Sequence, residues 1–284
     1  MSEQHLFAAE ARLDKEELAD TRSAYRCFPE SEYQARLHNL RQAMDIQELD
    51  ASLITCPESI YYLAGLDHWG FFAYQMLIVP REGEMVLITR AMEQVTIENQ
   101  VIPRARFVGF ADDEDPAEVT CRVLAELSLT SGRLGLEKHS VYLPLKIVEG
   151  IQASSPNAQW NDIGTLVDEL RMIKSPLEQQ YTRQAAAVSD AMMQAAIAAT
   201  HAGANEREVA AEAHHAMIMA GGEYPGFGPF IRPASRLGEE HTTWSDATLK
   251  KGDALFLELS GSVRRYHAPM GRLVYIGEAP KGTR

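Results

Sequence analysis

The sequence predicts an α/β domain followed by an α+β domain, and three observations carry that prediction. Residues 31 to about 170 alternate short apolar runs with helical patterns. At Ser175-Pro176-Leu177-Glu178, serine, proline and glutamate fall at the N-cap, N1 and N3 of a helix, which marks a sharp boundary. Beyond that point two long helical patterns give way to strands. The expected organisation is a polar tail over residues 1–30, an α/β domain over 31–172 and an α+β domain over 173–284.

Each element has its own signal. Ser31 is placed as an N-cap, with Tyr33, Leu37, Leu40 and Met44 on one helical face. Ala51 to Cys56 is a short apolar strand, and Pro57 to Gly65 a turn and short helix. Gln75 to Val79 and Met85 to Thr89 are two strands joined by a glycine-containing loop. Further strands are predicted at 106–110, 133–136 and 159–163, and helices at 118–127 and 143–151. After the boundary, Leu177, Tyr181, Ala185, Val188 and Met192 recur at helical spacing, with Gly203 as the C-cap. Asn205 and Glu208 repeat the capping pattern for a second helix that ends near Gly221-Gly222.

Composition narrows the class. Hydrophobic residues at 45% and charged residues at 24% are the proportions of a soluble globular chain. A net charge of −13 argues against a nucleic-acid partner and suits a cytoplasmic setting. No apolar run reaches the ~18 residues that span a membrane. Cys27, Cys56 and Cys121 lack metal-type spacing, and the odd count predicts reduced thiols.

Several stretches carry a resemblance. They are Ile60-Tyr61-Tyr62-Leu63-Ala64-Gly65, Arg171 to Glu178, His241-Thr242-Thr243-Trp244, Phe256-Leu257-Glu258-Leu259-Ser260-Gly261 and Arg265-Tyr266-His267-Ala268-Pro269. Over residues 31–284 the chain resembles the creatinase/prolidase (pita-bread) family, and within it the metal-free branch that holds creatinase and ectoine hydrolase. The resemblance implies a creatinase-type N-terminal domain and a pita-bread domain of which only the first half is present, so that the chain is expected to be truncated. The family's metallopeptidases place an aspartate at the position of Glu258 and a second one eleven residues later. Here that second position is Pro269, which has no side-chain oxygen to offer a metal. The resemblance therefore implies no metal and no cofactor, a small zwitterionic amidine or guanidinium solute as substrate, and a homodimer. A Xaa-Pro peptidase using two manganese, cobalt or zinc ions is the alternative, and an inactive remnant is a third reading.

By the same resemblance, His241 is the proton shuttle, a role that suits an imidazole. Glu258 is the carboxylate that pairs with the substrate cation. A solvated loop histidine, and a strand glutamate paired with Arg264 or Arg265, are the plainer alternatives. Arg232 and Arg236 are candidates to hold a substrate carboxylate. Phe227 is available as an apolar wall, while Tyr266 and His267 are candidates to line the pocket. Trp69, in the aromatic run Trp69-Gly70-Phe71-Phe72, is a candidate to stack on a substrate cation. The glycine-rich run Gly221 to Phe230 follows a helix, so it is read as a loop beside the pocket and not as a phosphate loop.

Overall fold

The computed structural model describes residues 26–239 and 241–283. The chain divides into two compact units, Met1–Ile173 and Lys174–Arg284.

In the first unit the described elements run α1 (Glu30–Ile46), β1 (Ala51–Ile54), α2 (Pro57–Ala64), β2 (Met76–Pro80), β3 (Met85–Arg90), α3 (Gln94–Gln100), β4 (Ala105–Phe110), α4 (Pro116–Glu126), β5 (Arg133–Leu136), α5 (Leu145–Ser154), β6 (Gln159–Asp162) and α6 (Leu166–Met172). The six strands form one mixed sheet in the order β4-β3-β2-β1-β5-β6. Helices cover both faces, so the central strands are apolar on both sides. Along β2, Leu77 and Val79 pack with Leu40, Leu63 and Ile97 on one face, while Met76 and Ile78 pack with Val119, Val123 and Ile151 on the other.

Three expectations need correction here. The cap of α1 is Pro29, and Ser31 lies in the first turn. Cys27 and Phe28 are buried instead of belonging to a loose tail, because the Arg36 guanidinium sits 4.0 Å from the centre of the Phe28 ring. The rest of the expected tail, residues 1–25, lies outside the described residues. Helices α3 and α6, seven residues each, were not anticipated, since two turns are too short to show a periodic face.

The second unit contains α7 (Pro176–Ala199), α8 (Glu206–Met219), β7 (Phe230–Pro233), β8 (Ala254–Val263) and β9 (Tyr266–Tyr275). Both capping boxes form. The Ser175 hydroxyl accepts from the Glu178 amide and the Glu178 carboxylate from the Ser175 amide, and Asn205 and Glu208 do the same for α8. The three strands form an antiparallel sheet, β7-β8-β9. Its helix-facing side is set by period-two alternation: Leu255, Leu257 and Leu259 of β8 pack with Val188, Met192, Val209 and Ala213 of the two helices. Phe256, Glu258, Ser260 and Ser262 therefore project from the opposite face.

Helix α7 packs tightly on β8 at Gly261. A Cβ there would fall 2.6 Å from the Ala185 carbonyl oxygen and 2.8 Å from the Ser189 amide nitrogen, so only glycine fits. The Gly261 amide donates to the Ser189 hydroxyl oxygen at 2.7 Å, and that hydroxyl donates to the Ala268 carbonyl at 2.6 Å. Arg264 and Arg265 turn the β8–β9 hairpin with φ of 50° and 63°, the left-handed pair that a two-residue turn needs.

Candidate active site

The candidate site lies on the face of the β7-β8-β9 sheet opposite the helices. Glu258 sits at its centre, with Phe230 of β7 and Gly271 of β9 as its register partners. Arg232 faces Phe256 one pleat further along, so Arg232, Phe230 and Glu258 share this face. The Glu258 side chain is half-buried, and its carboxylate has no hydrogen-bond or ion-pair partner among the described residues.

His241 reaches this neighbourhood from the loop after β7. Its ring centroid lies 5.4 Å from that of Phe230, whose backbone is paired with Glu258. Phe227 stacks on Phe230 at 5.3 Å with the planes 9° apart, which extends the apolar wall. His241 is exposed and its φ is 57°, a left-handed conformation uncommon for a residue with a Cβ. Three residues on, Trp244 Nε1 donates to the Pro229 carbonyl at 2.8 Å and ties the loop to the start of β7.

The remaining expected site residues divide. His267 is half-buried on the same face, opposite Ser262, with its ring against Gly226: a Cβ on that glycine would lie 3.3 Å from Cε1. Tyr266 belongs to the helix-facing side. Its hydroxyl donates to Glu178 Oε1 at 2.7 Å and its ring stacks on Tyr181, so it braces α7 and does not line the pocket. Arg236 is already held by carboxylates, with Nη1 2.8 Å from Glu206 Oε1 and Nη2 2.8 Å from Glu239 Oε2. Its guanidinium holds the Glu239 carboxyl below the usual range. Arg232 is 3% exposed. Its Nε donates to the Glu239 carbonyl and its Nη1 to the Ile231 carbonyl, while Nη2 is buried without a hydrogen-bond partner among the described residues. Trp69 belongs to the first unit, where it is 52% exposed and stacks on Phe71 at 5.4 Å.

One residue of this region had no sequence signal that set it apart. Glu206, the first residue of α8, is fully buried and collects bonds from Arg236, from the Ser245 amide and from the Ser245 hydroxyl. In sequence it reads as an ordinary acid in a first helical turn.

Comparison with known proteins agrees with this architecture. Residues 36–173 match the creatinase/prolidase N-terminal domain, and residues 180–284 match metallopeptidase family M24. The chain is 31% identical over 269 residues to an uncharacterized hydrolase/peptidase of Sinorhizobium fredii, covering 90% of this chain and 69% of that protein. It is 27% identical over 270 residues to the ectoine hydrolase of Halomonas elongata (89% and 68% covered) and 26% identical over 242 residues to a Xaa-Pro dipeptidase of Pyrococcus furiosus (85% and 65% covered). Among solved structures, the prolidase of Thermococcus sibiricus superposes with a TM-score of 0.78 at 20% identity, over 88% of this chain and 67% of that one. The prolidase of Pyrococcus horikoshii gives 0.73 at 22%, over 87% and 66%. The chain belongs to the creatinase/prolidase family, a creatinase-type N-terminal domain joined to an M24 pita-bread domain. It spans about two thirds of the length of the relatives it matches.

The family overturns one expectation. The absence of a cofactor was read from Pro269, yet residues 180–284 match a metallopeptidase family and the chain is similar to Xaa-Pro dipeptidases, which point to divalent metals. The described residues supply little of such a site. No three His, Cys, Asp or Glu side chains among them could hold a metal ion together. Pro269 faces Ser260, diagonal to Glu258 on the same face, and brings no donor. Glu258 is the one acidic side chain on this face of β8 and β9. Among the described residues no helix is long and apolar enough to cross a membrane.

Proposed function

We propose that this chain carries part of a hydrolase site for a C–N bond in a small zwitterionic amidine or guanidinium solute. Ring opening of ectoine to N-acetyl-diaminobutyrate is the favoured reaction. The observation that carries the reading is Glu258, a half-buried carboxylate with no partner among the described residues, beside an aromatic wall and a histidine. A planar amidinium offers N–H donors that a carboxylate can accept in a fixed plane. Phe227 and Phe230 suit the apolar edge of such a ring. The similarity to an ectoine hydrolase supports the same choice.

In this reading His241 accepts a proton from water as the water oxygen bonds to the central amidine carbon. The carbon–nitrogen bond of the tetrahedral adduct then breaks, and the same imidazole returns the proton to the departing nitrogen. The products are an amide and an amine, and no atom is left over. Arg232, on the same face as Glu258, is better placed than Arg236 for the substrate carboxylate, because Arg236 already holds two acids.

The test is NMR of ectoine and of a Xaa-Pro dipeptide incubated with the protein, each with added divalent metal and with chelator. Ring opening of ectoine that is lost in His241→Ala supports the proposal. Cleavage of the dipeptide alone would overturn it in favour of the peptidase reading, which the Pyrococcus relative supports.

A further inference from the structure

We infer that Glu206 is the positioning residue for His241, fastening both ends of the loop that carries it; the inference rests on the reading of His241 as proton carrier. On the N-terminal side of the loop, Arg236 Nη1 donates to both Glu206 oxygens, at 2.8 and 3.1 Å. On the C-terminal side, the Ser245 amide donates to Glu206 Oε2 at 2.7 Å and its hydroxyl to Oε1 at 2.8 Å. Buried Arg232 stands 4.0 Å from the same carboxylate. One fully buried acid therefore pins residues nine apart in sequence, and His241 lies between them.

The neighbouring bonds reinforce the same clamp. Arg236 also holds Glu239, the Thr242 hydroxyl and Arg232 Nε both donate to the Glu239 carbonyl, and Arg207 Nε donates to Asp246 Oδ1 at 2.6 Å. The Ala204 carbonyl accepts from Leu249, and Asn205 forms a bridge with Thr248, so the start of α8 and the exit of the loop are joined as well. Because α8 is packed in the core through Val209, Ala213 and Met217, its first residue is a rigid anchor. The middle of the loop, His241, Thr242 and Thr243, is exposed, so its order depends on these bonds at its flanks. An exposed histidine in a left-handed conformation keeps one orientation only if its flanks are held, and a buried carboxylate that accepts four hydrogen bonds from three donor atoms provides that hold.

The experiment compares the unaltered protein with Glu206→Gln, Glu206→Ala and Ser245→Ala. Hydrogen exchange of residues 234–246 is read against that of β8, together with the proximity of the His241 and Phe230 rings by NMR. Faster exchange in the loop with β8 unchanged, and loss of the ring proximity, is the expected result. In a turnover assay kcat should fall on the order of 10- to 100-fold with KM changed less than about threefold, as misplacement of a catalytic group predicts. Glu206→Gln should recover part of that loss. If Glu206→Ala does not fold, Ser245→Ala, which removes one hydroxyl bond, carries the same exchange test. An ordered loop and unchanged ring proximity in folded variants would overturn the inference. A loosened loop in a protein with no C–N hydrolysis would uphold the clamp and count against the proposed function.

Discussion

The Ser189 hydroxyl stands between two strands: it accepts from the Gly261 amide at 2.7 Å and donates to the Ala268 carbonyl at 2.6 Å. It occupies the point where α7 runs too close to β8 for any side chain at 261. Gly261→Ala should destabilise the second unit by about 1–3 kcal/mol through overpacking. Ser189→Ala should cost about 1–3 kcal/mol by leaving a buried amide unpaired. Urea denaturation monitored by Trp244 fluorescence measures both. Wild-type stability in either variant would contradict the contact.

His241 and Glu258 should fail differently when altered. His241 is exposed, so His241→Ala should fold normally and lose about 10²- to 10⁴-fold in kcat with little change in KM. Glu258→Gln keeps the shape and removes the charge. It should weaken binding of the cationic solute about 10- to 100-fold, the worth of a charge-assisted pair. Steady-state kinetics separates the two, and equal losses in kcat and KM for both variants would contradict the division of roles.

Not all of this was legible in sequence. The Ser175/Glu178 and Asn205/Glu208 boxes were, because capping is a matter of residues three apart. That strands follow the two long helices was legible too, but which face of β8 is buried came only with the structure. Tyr266 and Arg236 were misplaced because their partners are remote in sequence: Glu178 lies 88 residues from Tyr266, and Glu206 lies 30 from Arg236. No local pattern announces such a pairing. Ser31 failed for a nearer reason, since a proline two residues earlier starts the helix. The absence of a metal was inferred from a single position, Pro269, and the family outweighs that one substitution.

Glu137 gives the first unit a pH response. Burial raises its pKa above the ordinary glutamate value, even though the Thr55 and Cys56 amides donate to its carboxylate and lower it in part. The folded state therefore holds this proton to higher pH than the unfolded state does. Stability is greatest below the ordinary glutamate value and declines as pH rises through the raised one. Glu137→Gln should flatten that slope in thermal melts followed from pH 4 to pH 7. An unchanged slope would assign it to another group.

Cys56 should be inert. Burial, and after it the hydrogen bond to Glu58, pushes the thiol up to about 12, so almost no thiolate exists near neutrality. Iodoacetamide at pH 7.5 should label Cys56 far more slowly than free cysteine, as mass spectrometry of the peptide would report. Rapid labelling would show that the thiol is not held as described.

The pleat of β8 ties the aim of one carboxylate to three leucines. Leu255, Leu257 and Leu259 fill the core beneath the sheet, and Glu258 points the other way because side chains alternate. A shift of one residue would drive the acid into the hydrocarbon interior and turn the leucines outward, so the strand has no neighbouring position to slide into. Changes of substrate preference in such a protein are thus more readily made in the loop around His241, which can be redrawn residue by residue, than in the strand, which can only be kept or lost.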